Sequence, residues 1–237
     1  MLITGGAVRL GRAICLELSQ GGVQLFCHYH SSSEAAVKLR DEIEQGGGRM
    51  HVFQADLTQL SGISATVAEA MRVFGRIDVL INNAALFYKT PLGSVTEKDW
   101  QTFHDLNSKA AFFMAQQVSS PMLKQKSGKI INIGDTAALS PFPAYLPYSM
   151  SKAGIIALTV GLAKALAPHI QVNAINPGPV MIPDHYSAGE RQFSINQTLL
   201  KREGSAQDIA KTVRFLLEGS DYITGAIIPV DGGRAIR

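Results

Sequence analysis

Short apolar runs alternate with longer stretches of helical periodicity along the whole chain. The runs of strand length span residues 2–4, 23–29, 49–54, 77–81, 129–134, 170–176 and 226–230, and the first of them is expected to be short. Apolar strands separated by helices pair in parallel through right-handed crossovers, which puts helices on both faces of the sheet. The alternation therefore predicts an α/β fold with a doubly wound, seven-stranded parallel sheet in three layers.

The composition is typical of one soluble globular domain that spans residues 1–237. Of these residues 46% are hydrophobic and 17% are charged, and no obvious linker divides the chain. The net charge of +3 is small and the basic residues are scattered, which argues against nucleic acid as a partner. Residues 181–204 form the least regular stretch, and we expect a flap that covers a substrate.

The two cysteines, Cys15 and Cys27, lack the spacing of a metal site. We expect two buried, reduced thiols in a cytoplasmic protein that holds no metal. We expect no secretory leader before the first strand, and no uninterrupted apolar run approaches the roughly 18 residues that a membrane span requires. These features favour a small-molecule ligand over a membrane.

Polar and glycine residues collect where the predicted strands end. Ligands of doubly wound sheets bind at the carboxyl ends of the strands, so these segments are the candidate site. In chain order they are Thr4–Gly11, His30–Ser32, Asp56–Leu57, Asn82–Ala85, Gly134–Asp135 and Asn176–Gly178.

The first of these segments has the pattern of a dinucleotide cradle. Thr4 and Gly5 follow the first strand, Arg9, Leu10 and Gly11 follow them, and a helical pattern begins there. Glycines let the backbone approach a pyrophosphate, and a helix N-terminus offers free N–H groups to it. The pattern thus predicts a Rossmann-type cofactor site, although a glycine-rich turn after an apolar strand is also an ordinary turn.

A second motif, Tyr148 followed four residues later by Lys152, indicates the chemistry. The pair is a weak signal alone, since short motifs recur by chance. Downstream of a dinucleotide cradle it becomes informative. Asp135 lies thirteen residues before Tyr148, in the place where a serine is the usual companion.

In this order, the motifs resemble the short-chain dehydrogenase/reductase family over essentially the whole chain. Within that family three departures resemble the pteridine reductases: Arg9 in place of a glycine, Asp135 in place of the catalytic serine, and a second strand that closes as His28-Tyr29-His30-Ser31. The segment Phe87-Tyr88 also matches the part that supplies an aromatic ring to the pterin in those enzymes.

The second strand end predicts NADPH rather than NADH. An NAD site has a carboxylate about 20 residues after the glycines to bind the ribose 2′-hydroxyl, whereas His30, Ser31 and Ser32 stand at that place here. Glu34 is assigned to a capping box with Ser31. Arg9 would lie beside a 2′-phosphate, unless it is a solvated helix-start residue, and His30 would be an ordinary strand-end residue in the alternative interpretation.

The other predicted cofactor contacts fall at the later strand ends. Asp56 and Asn83 fit the adenosine side, although Asn83 could equally hold the loop backbone together. The full set of these contacts is Asp56, Leu57, Asn83, Ala84, Lys152, Pro177 and Gly178.

We predict that Asp135, Tyr148 and Lys152 carry the proton transfers that accompany hydride transfer. A nearby cation such as Lys152, one helical turn away, would lower the pKa of the Tyr148 phenol and make it a usable acid. The resemblance further implies that Lys152 holds the nicotinamide ribose. It also implies that Asn107, placed in the long helix before the fifth strand, belongs to a water-linked proton route.

Asp135 and Phe87 decide the predicted substrate. A carboxylic acid can deliver a proton to a ring nitrogen, and burial near Ile133 would raise the pKa of Asp135 and keep it available as an acid. The alternative for Asp135 is a polar turn residue. Phe87 would stack on a flat heteroaromatic ring, where simple packing is the alternative.

These residues predict an NADPH-dependent reductase of a pterin or dihydropterin. An NADPH-dependent carbonyl or 3-oxoacyl-acyl-carrier-protein reductase is the rival enzyme, and a non-catalytic NADPH sensor is the rival of another class. The apolar helix faces around 99–119 and 147–167 exceed what one sheet face needs, so self-association is expected, and the resemblance implies a homodimer or homotetramer.

Overall fold

All seven predicted strands form in the computed structural model, which describes residues 1–237. They are β1 (Leu2–Ile3), β2 (Leu25–Tyr29), β3 (Met50–Gln54), β4 (Val79–Asn82), β5 (Gly128–Ile133), β6 (Ile170–Pro177) and β7 (Ile227–Val230). They make one sheet in the order β3-β2-β1-β4-β5-β6-β7, and every pairing is parallel. The predicted doubly wound sheet is confirmed.

Eight α-helices connect the strands and cover the sheet. They are α1 (Arg9–Ser19), α2 (Ser33–Gln45), α3 (Leu60–Phe74), α4 (Glu97–Phe103), α5 (Ala110–Gln125), α6 (Leu146–Leu166), α7 (Ala188–Asn196) and α8 (Ala206–Glu218). A π-helical turn, His104–Lys109, joins α4 to α5, and a 3₁₀ turn, Arg234–Ile236, follows β7.

The core lies in two apolar layers, one on each face of the sheet. In register across the four central strands, Leu2, Phe26, Leu80 and Ile130 belong to one cluster, and their neighbours Ile3, Cys27, Ile81 and Ile131 belong to the other. Successive side chains of a strand point to opposite faces, so strands that are apolar at every position must be covered twice. Helices α1, α2 and α8 cover one face, and α3, α5 and α6 cover the other.

The capping box predicted for Ser31 and Glu34 is wrong. Helix α2 begins at Ser33, so Ser32 occupies the N-cap position and makes no side-chain cap bond. Glu34 is therefore the second helical residue and lies too early to reach back to an N-cap. The capping boxes that do form are at the starts of α4, α7 and α8.

Helix α6 is long and apolar enough to cross a membrane by length and composition alone. Core helices of globular proteins commonly meet the same two criteria. Its first turns hold Tyr148 and Lys152, which are buried in the protein. Cys15 and Cys27 are free and buried, as predicted.

Candidate active site

A cleft of about 1090 Å³ opens at the carboxyl edge of the sheet. It lies where the strand order reverses, between β1 and β4, which is the usual ligand position in doubly wound folds. Ligand pockets commonly measure roughly 300–1,000 Å³. The cleft therefore lies at the upper end of the size range of ligand pockets.

Most of the predicted site residues line this cleft, and three do not. Those that line it are Gly5, Arg9, Leu10, Gly11, His30, Ser31, Asp56, Leu57, Asn83, Ala84, Phe87, Asp135, Tyr148, Lys152, Pro177 and Gly178. Thr4, Ser32 and Asn107 are absent from its lining. Sequence reasoning missed several other lining residues, among them His28, Lys89, Phe142, Tyr145, Tyr186 and Arg234.

The loop from Gly5 to Gly11 packs so closely against neighbouring backbone that a side chain would not fit at either of these two glycines. Gly5 has φ +62°, and a Cβ there would lie 2.9 Å from the Cα of Ala84. A Cβ on Gly11 would lie 2.2 Å from the carbonyl oxygen of Gly5. Helix α1 starts without a side-chain cap and without an acidic residue in its first turn. Its free N–H groups fit a pyrophosphate, so the residues present fit a dinucleotide cofactor.

Thr4 and Asn83 act on the loop backbone. The Thr4 hydroxyl accepts hydrogen bonds from the backbone N–H groups of Asn83 and Ala84, both at 3.0 Å. The Asn83 amide donates to the carbonyls of Thr4 and Gly5, at 3.0 and 2.9 Å. Thr4 is 2% exposed. The two residues thus join the ends of β1 and β4. Thr4, which does not line the cleft, holds the glycine-rich loop in place.

His28, which sequence reasoning named only as part of a motif, holds the same loop from β2. Its Nδ1 accepts a hydrogen bond from the N–H of Gly5 at 3.2 Å, and its Nε2 lies 3.0 Å from the carbonyl of Ala55. Burial lowers the pKa of His28 to about 4, so the ring is neutral at pH 7 and Nε2 carries its proton. A histidine inside an otherwise apolar strand is the signal that identifies it.

Near β2 and β3, the cleft has no carboxylate at the position where an NAD-binding site has its acidic residue. His30 and Ser31 lie there, and the Nδ1 of His30 is 3.3 Å from the carbonyl of Ala55. Asp56 accepts hydrogen bonds from the N–H and hydroxyl of Thr58, which lower the pKa of its carboxyl group. The Asp56 oxygen that accepts these two bonds is therefore already hydrogen-bonded within its own turn.

Arg9 has φ +49°, a left-handed conformation at the position where the family has glycine. Its guanidinium donates to the carbonyl of Met181, the first residue of the flap. Arg9 thus lines the cleft and links the glycine-rich loop to the flap, and its place beside a 2′-phosphate stays a prediction.

Asp135 and Tyr148 are hydrogen-bonded to each other at the inner end of the cleft. Tyr148 donates its hydroxyl proton to Oδ2 of Asp135 at 2.6 Å, and the N–H of Ala137 donates to Oδ1 at 2.7 Å. Burial raises the pKa of the Asp135 carboxyl group, in the predicted direction. The structure therefore joins the two predicted proton-carrying groups directly.

The predicted lowering of the Tyr148 pKa by Lys152 is wrong. Burial, followed by the nearby charge of Asp135, raises the pKa of Tyr148 well above its usual value. The Lys152 ammonium lies 6.0 Å from the centre of the Tyr148 ring and donates to the carbonyl of Ile133 at 2.8 Å. Burial also lowers the pKa of Lys152 to about 8. Desolvation by burial is the largest cause of both shifts.

Asn107 lies in the π-helical turn within the continuous helical stretch 97–125, which is the long helix where we expected it. Its Oδ1 accepts from the N–H of Leu86 at 2.9 Å, and its Nδ2 donates to Ser151 Oγ at 3.0 Å and to the Leu86 carbonyl at 3.2 Å. The side chain is 3% exposed. Asn107 therefore fastens the loop that carries Phe87 to helix α6, and its place in a water-linked route stays a prediction.

Phe87 is part of a wall of aromatic rings. It stacks on Tyr145 with ring centres 4.7 Å apart and an interplanar angle of 3°, and it meets Tyr148 edge to face at 4.8 Å. Phe142 in turn meets Tyr145 edge to face at 6.2 Å. One face of Phe87 is thus covered by Tyr145, a residue just before α6 that periodicity alone did not single out.

The flap at 181–204 contains helix α7 and is fastened to the rest of the cleft by side chains. The hydroxyl of Tyr186 is hydrogen-bonded to that of Tyr145, and Glu190 pairs with Lys89. Together with the Arg9 bond, these contacts close the flap over the cleft.

A family model described as short chain dehydrogenase matches residues 1–190. A 3-oxoacyl-[acyl-carrier-protein] reductase of Synechocystis sp. is 37% identical over 98% of this chain and 95% of its own length. The 3-oxoacyl-[acyl-carrier-protein] reductase FabG of Staphylococcus aureus is 35% identical over 98% and 96%.

Two solved structures have a similar fold. A short-chain dehydrogenase/reductase from Serratia marcescens has a TM-score of 0.93 at 30% identity and covers 99% of this chain and 96% of its own. FolM Alternative dihydrofolate reductase 1 from Brucella canis, complexed with NADP, has a TM-score of 0.90 at 30% identity and covers 100% and 93%.

Proposed function

Since this chain belongs to the short-chain dehydrogenase family and is an oxidoreductase, we propose that it uses NADPH to reduce a pterin or dihydropterin. The observation that carries the proposal is the 2.6 Å hydrogen bond between Tyr148 and Asp135 in a buried site. Reduction of a ring C=N bond needs a proton at nitrogen, and a carboxyl group of raised pKa is suited to deliver it.

The cofactor part of the proposal rests on the glycine-rich loop and the second strand end. The uncapped start of α1 fits the pyrophosphate, and His30 and Ser31 leave space without negative charge for a 2′-phosphate. The guanidinium of Arg9 lies in the same cleft. When bound, NADPH supplies the hydride. The structurally similar FolM protein from Brucella canis is complexed with NADP, which supports this choice.

In the proposed reaction, this chain's residues supply the proton. Asp135 transfers its proton to the acceptor nitrogen and takes another from solvent after turnover, while the Tyr148 hydroxyl, which donates to Oδ2 of Asp135, holds the carboxyl group in place. Lys152, whose pKa burial lowers to about 8, is fixed by the Ile133 carbonyl near the Tyr148 ring. Phe87 offers the ring face not covered by Tyr145 to a flat acceptor.

A second candidate is a 3-oxoacyl-acyl-carrier-protein reductase. The curated relatives of 37% and 35% identity carry that name, and this observation favours the second candidate over the first. The identity of residue 135 favours the first candidate, because a carbonyl reductase of this family would use the neutral hydrogen bond of a serine there.

A spectrophotometric screen of the purified wild-type protein separates the candidates. We expect NADPH oxidation with dihydrobiopterin or dihydrofolate, and a much slower reaction with NADH. Oxidation with a 3-oxoacyl thioester alone would support the second candidate. No oxidation with any acceptor would instead support a non-catalytic NADPH sensor, the alternative of another class.

We also propose that the chain self-associates through α4, α5 and α6. Large apolar side chains are exposed on these helices: Trp100 is 41% exposed, Phe112 44% and Met150 52%. Exposed apolar side chains that form a contiguous patch mark protein interfaces. Light scattering of the wild-type protein should give the mass of a dimer or tetramer, and Phe112→Glu should lower it. Leu60→Glu, at a 49% exposed side chain on α3, is the control, and a wild-type monomer would contradict the proposal.

A further inference from the structure

Arg234 is a charged residue of the cleft that the proposed chemistry does not use. It begins the 3₁₀ turn that follows β7 and lines the same cleft as Asp135 and Tyr148. Its guanidinium lies 4.6 Å above the ring of Phe142, and Nη1 donates to the carbonyl of Ser194 on α7 at 3.3 Å. The residue thus lies between the aromatic wall and the flap.

The Arg234 guanidinium has no carboxylate partner. The carboxyl groups of Asp135 and Asp231 and the hydroxyl of Tyr186 lie near enough to influence it, but all three are bonded elsewhere. Asp135 accepts from Tyr148 and from a backbone N–H, and the Asp231 oxygens accept the N–H groups of Gly233 and Ala235. A guanidinium carries five N–H donors, and here only one has an acceptor in the protein.

A ligand that binds in the cleft can supply the missing acceptors. Arg234 is half-buried, and burial lowers the pKa of its guanidinium. Charged groups that are withdrawn from water are normally paired or fully hydrogen-bonded. The planar fork of arginine binds the two oxygens of a carboxylate or a phosphate in parallel. The free donors therefore favour an anionic oxygen group in the cleft.

The aromatic wall shows which part of a substrate reaches Arg234. The wall runs from Tyr148 through Phe87 and Tyr145 to Phe142, the ring over which the guanidinium lies. For a flat acceptor that packs against Phe87 with its reacting atoms at Tyr148, a side chain that follows the wall of aromatic rings extends towards Phe142.

We infer that Arg234 selects acceptors that carry an anionic oxygen group on the part remote from the reacting bond. The inference rests on the proposed reductase function and names the substrate class for it. With a ring acceptor, the group is a carboxylate of the side chain. With a thioester acceptor, it is a phosphate of the carrier.

Two matched pairs of acceptors test the inference with NADPH. Dihydrofolate has carboxylates and dihydrobiopterin has none, while acetoacetyl-coenzyme A has phosphates and the acetoacetyl thioester of N-acetylcysteamine has none. In Arg234→Met, which keeps an apolar stem over Phe142, KM for the charged member of the active pair should rise about 10- to 100-fold. The kcat values and the KM for the neutral member should stay within about threefold. Arg234→Lys should recover part of the loss.

Arg72→Met is the matched control, because the Arg72 side chain is 69% exposed on α3 and does not line the cleft. It should leave all four KM values unchanged. An equal rise for the charged and the neutral member in Arg234→Met would assign Arg234 a merely structural role, and unchanged KM values would also overturn the inference. If only the thioester pair is turned over, the pterin function is rejected, and the KM values of the thioester pair still test the role of Arg234. No NADPH oxidation with either pair would reject both.

Discussion

Replacing Asp135 by Ser should lower the turnover of dihydropterin by about 10²- to 10⁴-fold, the range that a positioned general acid contributes. The Asp135 carboxyl group is buried, has a raised pKa and is hydrogen-bonded to Tyr148. A serine hydroxyl is too weak an acid to transfer a proton to a ring nitrogen at neutral pH. The measurement is the kcat for dihydrobiopterin, with NADPH affinity followed separately by fluorescence.

NADPH affinity should change little in Asp135→Ser, because the glycine-rich loop and the second strand end are untouched. The matched control is Asp221→Ser, at a side chain that is 91% exposed and paired with Lys129 away from the cleft. Dihydropterin turnover that persists unchanged in Asp135→Ser would show that the pterin mechanism is wrong. Faster turnover of a 3-oxoacyl thioester in the same variant would favour the second candidate function.

Acidification from pH 6.5 towards pH 4 should lower the free energy of unfolding by about 3 kcal/mol through His28 alone. Burial lowers the pKa of His28 to about 4 from its ordinary value of 6.5. Between these two pH values the unfolded chain binds a proton at His28 and the folded chain does not. Stability from this group is therefore complete above pH 6.5 and is lost as the pH falls through the window.

Urea unfolding at several pH values measures this effect. Other groups titrate in the same window, since carboxyl groups such as that of Asp56 have lowered pKa values in the fold. The variant His28→Gln isolates the histidine, and its free energy of unfolding should fall less steeply between pH 6.5 and pH 4.5. His169→Gln, at an exposed position, should keep the wild-type slope. Equal slopes for wild type and His28→Gln would contradict the assignment.

Protonation of His28 should also weaken cofactor binding. The protonated ring cannot accept the N–H of Gly5, so the glycine-rich loop loses its bond to β2. This consequence connects the acid sensitivity of the fold to the candidate site.

The sheet, and the edge of the sheet that carries the candidate site, were predictable from the sequence because both depend on local residue patterns. The apolar runs, such as 170–176 for β6 at Ile170–Pro177, follow from residue type and chain periodicity. Parallel pairing then brings the strand ends together without further information. The family prediction is confirmed by the matching model over residues 1–190, whereas the pteridine subdivision stays a proposal.

The sequence by itself determined which residue types lie at the carboxyl edge of the sheet, including Gly5, Asp135 and Tyr148. Only the tertiary structure decided their protonation and their partners. The bond from Tyr148 to Asp135, the rise of both pKa values and the unpaired guanidinium of Arg234 join residues from different strands, helices and the chain end. Burial and long-range contact set these properties, and neither has a local signature in the chain.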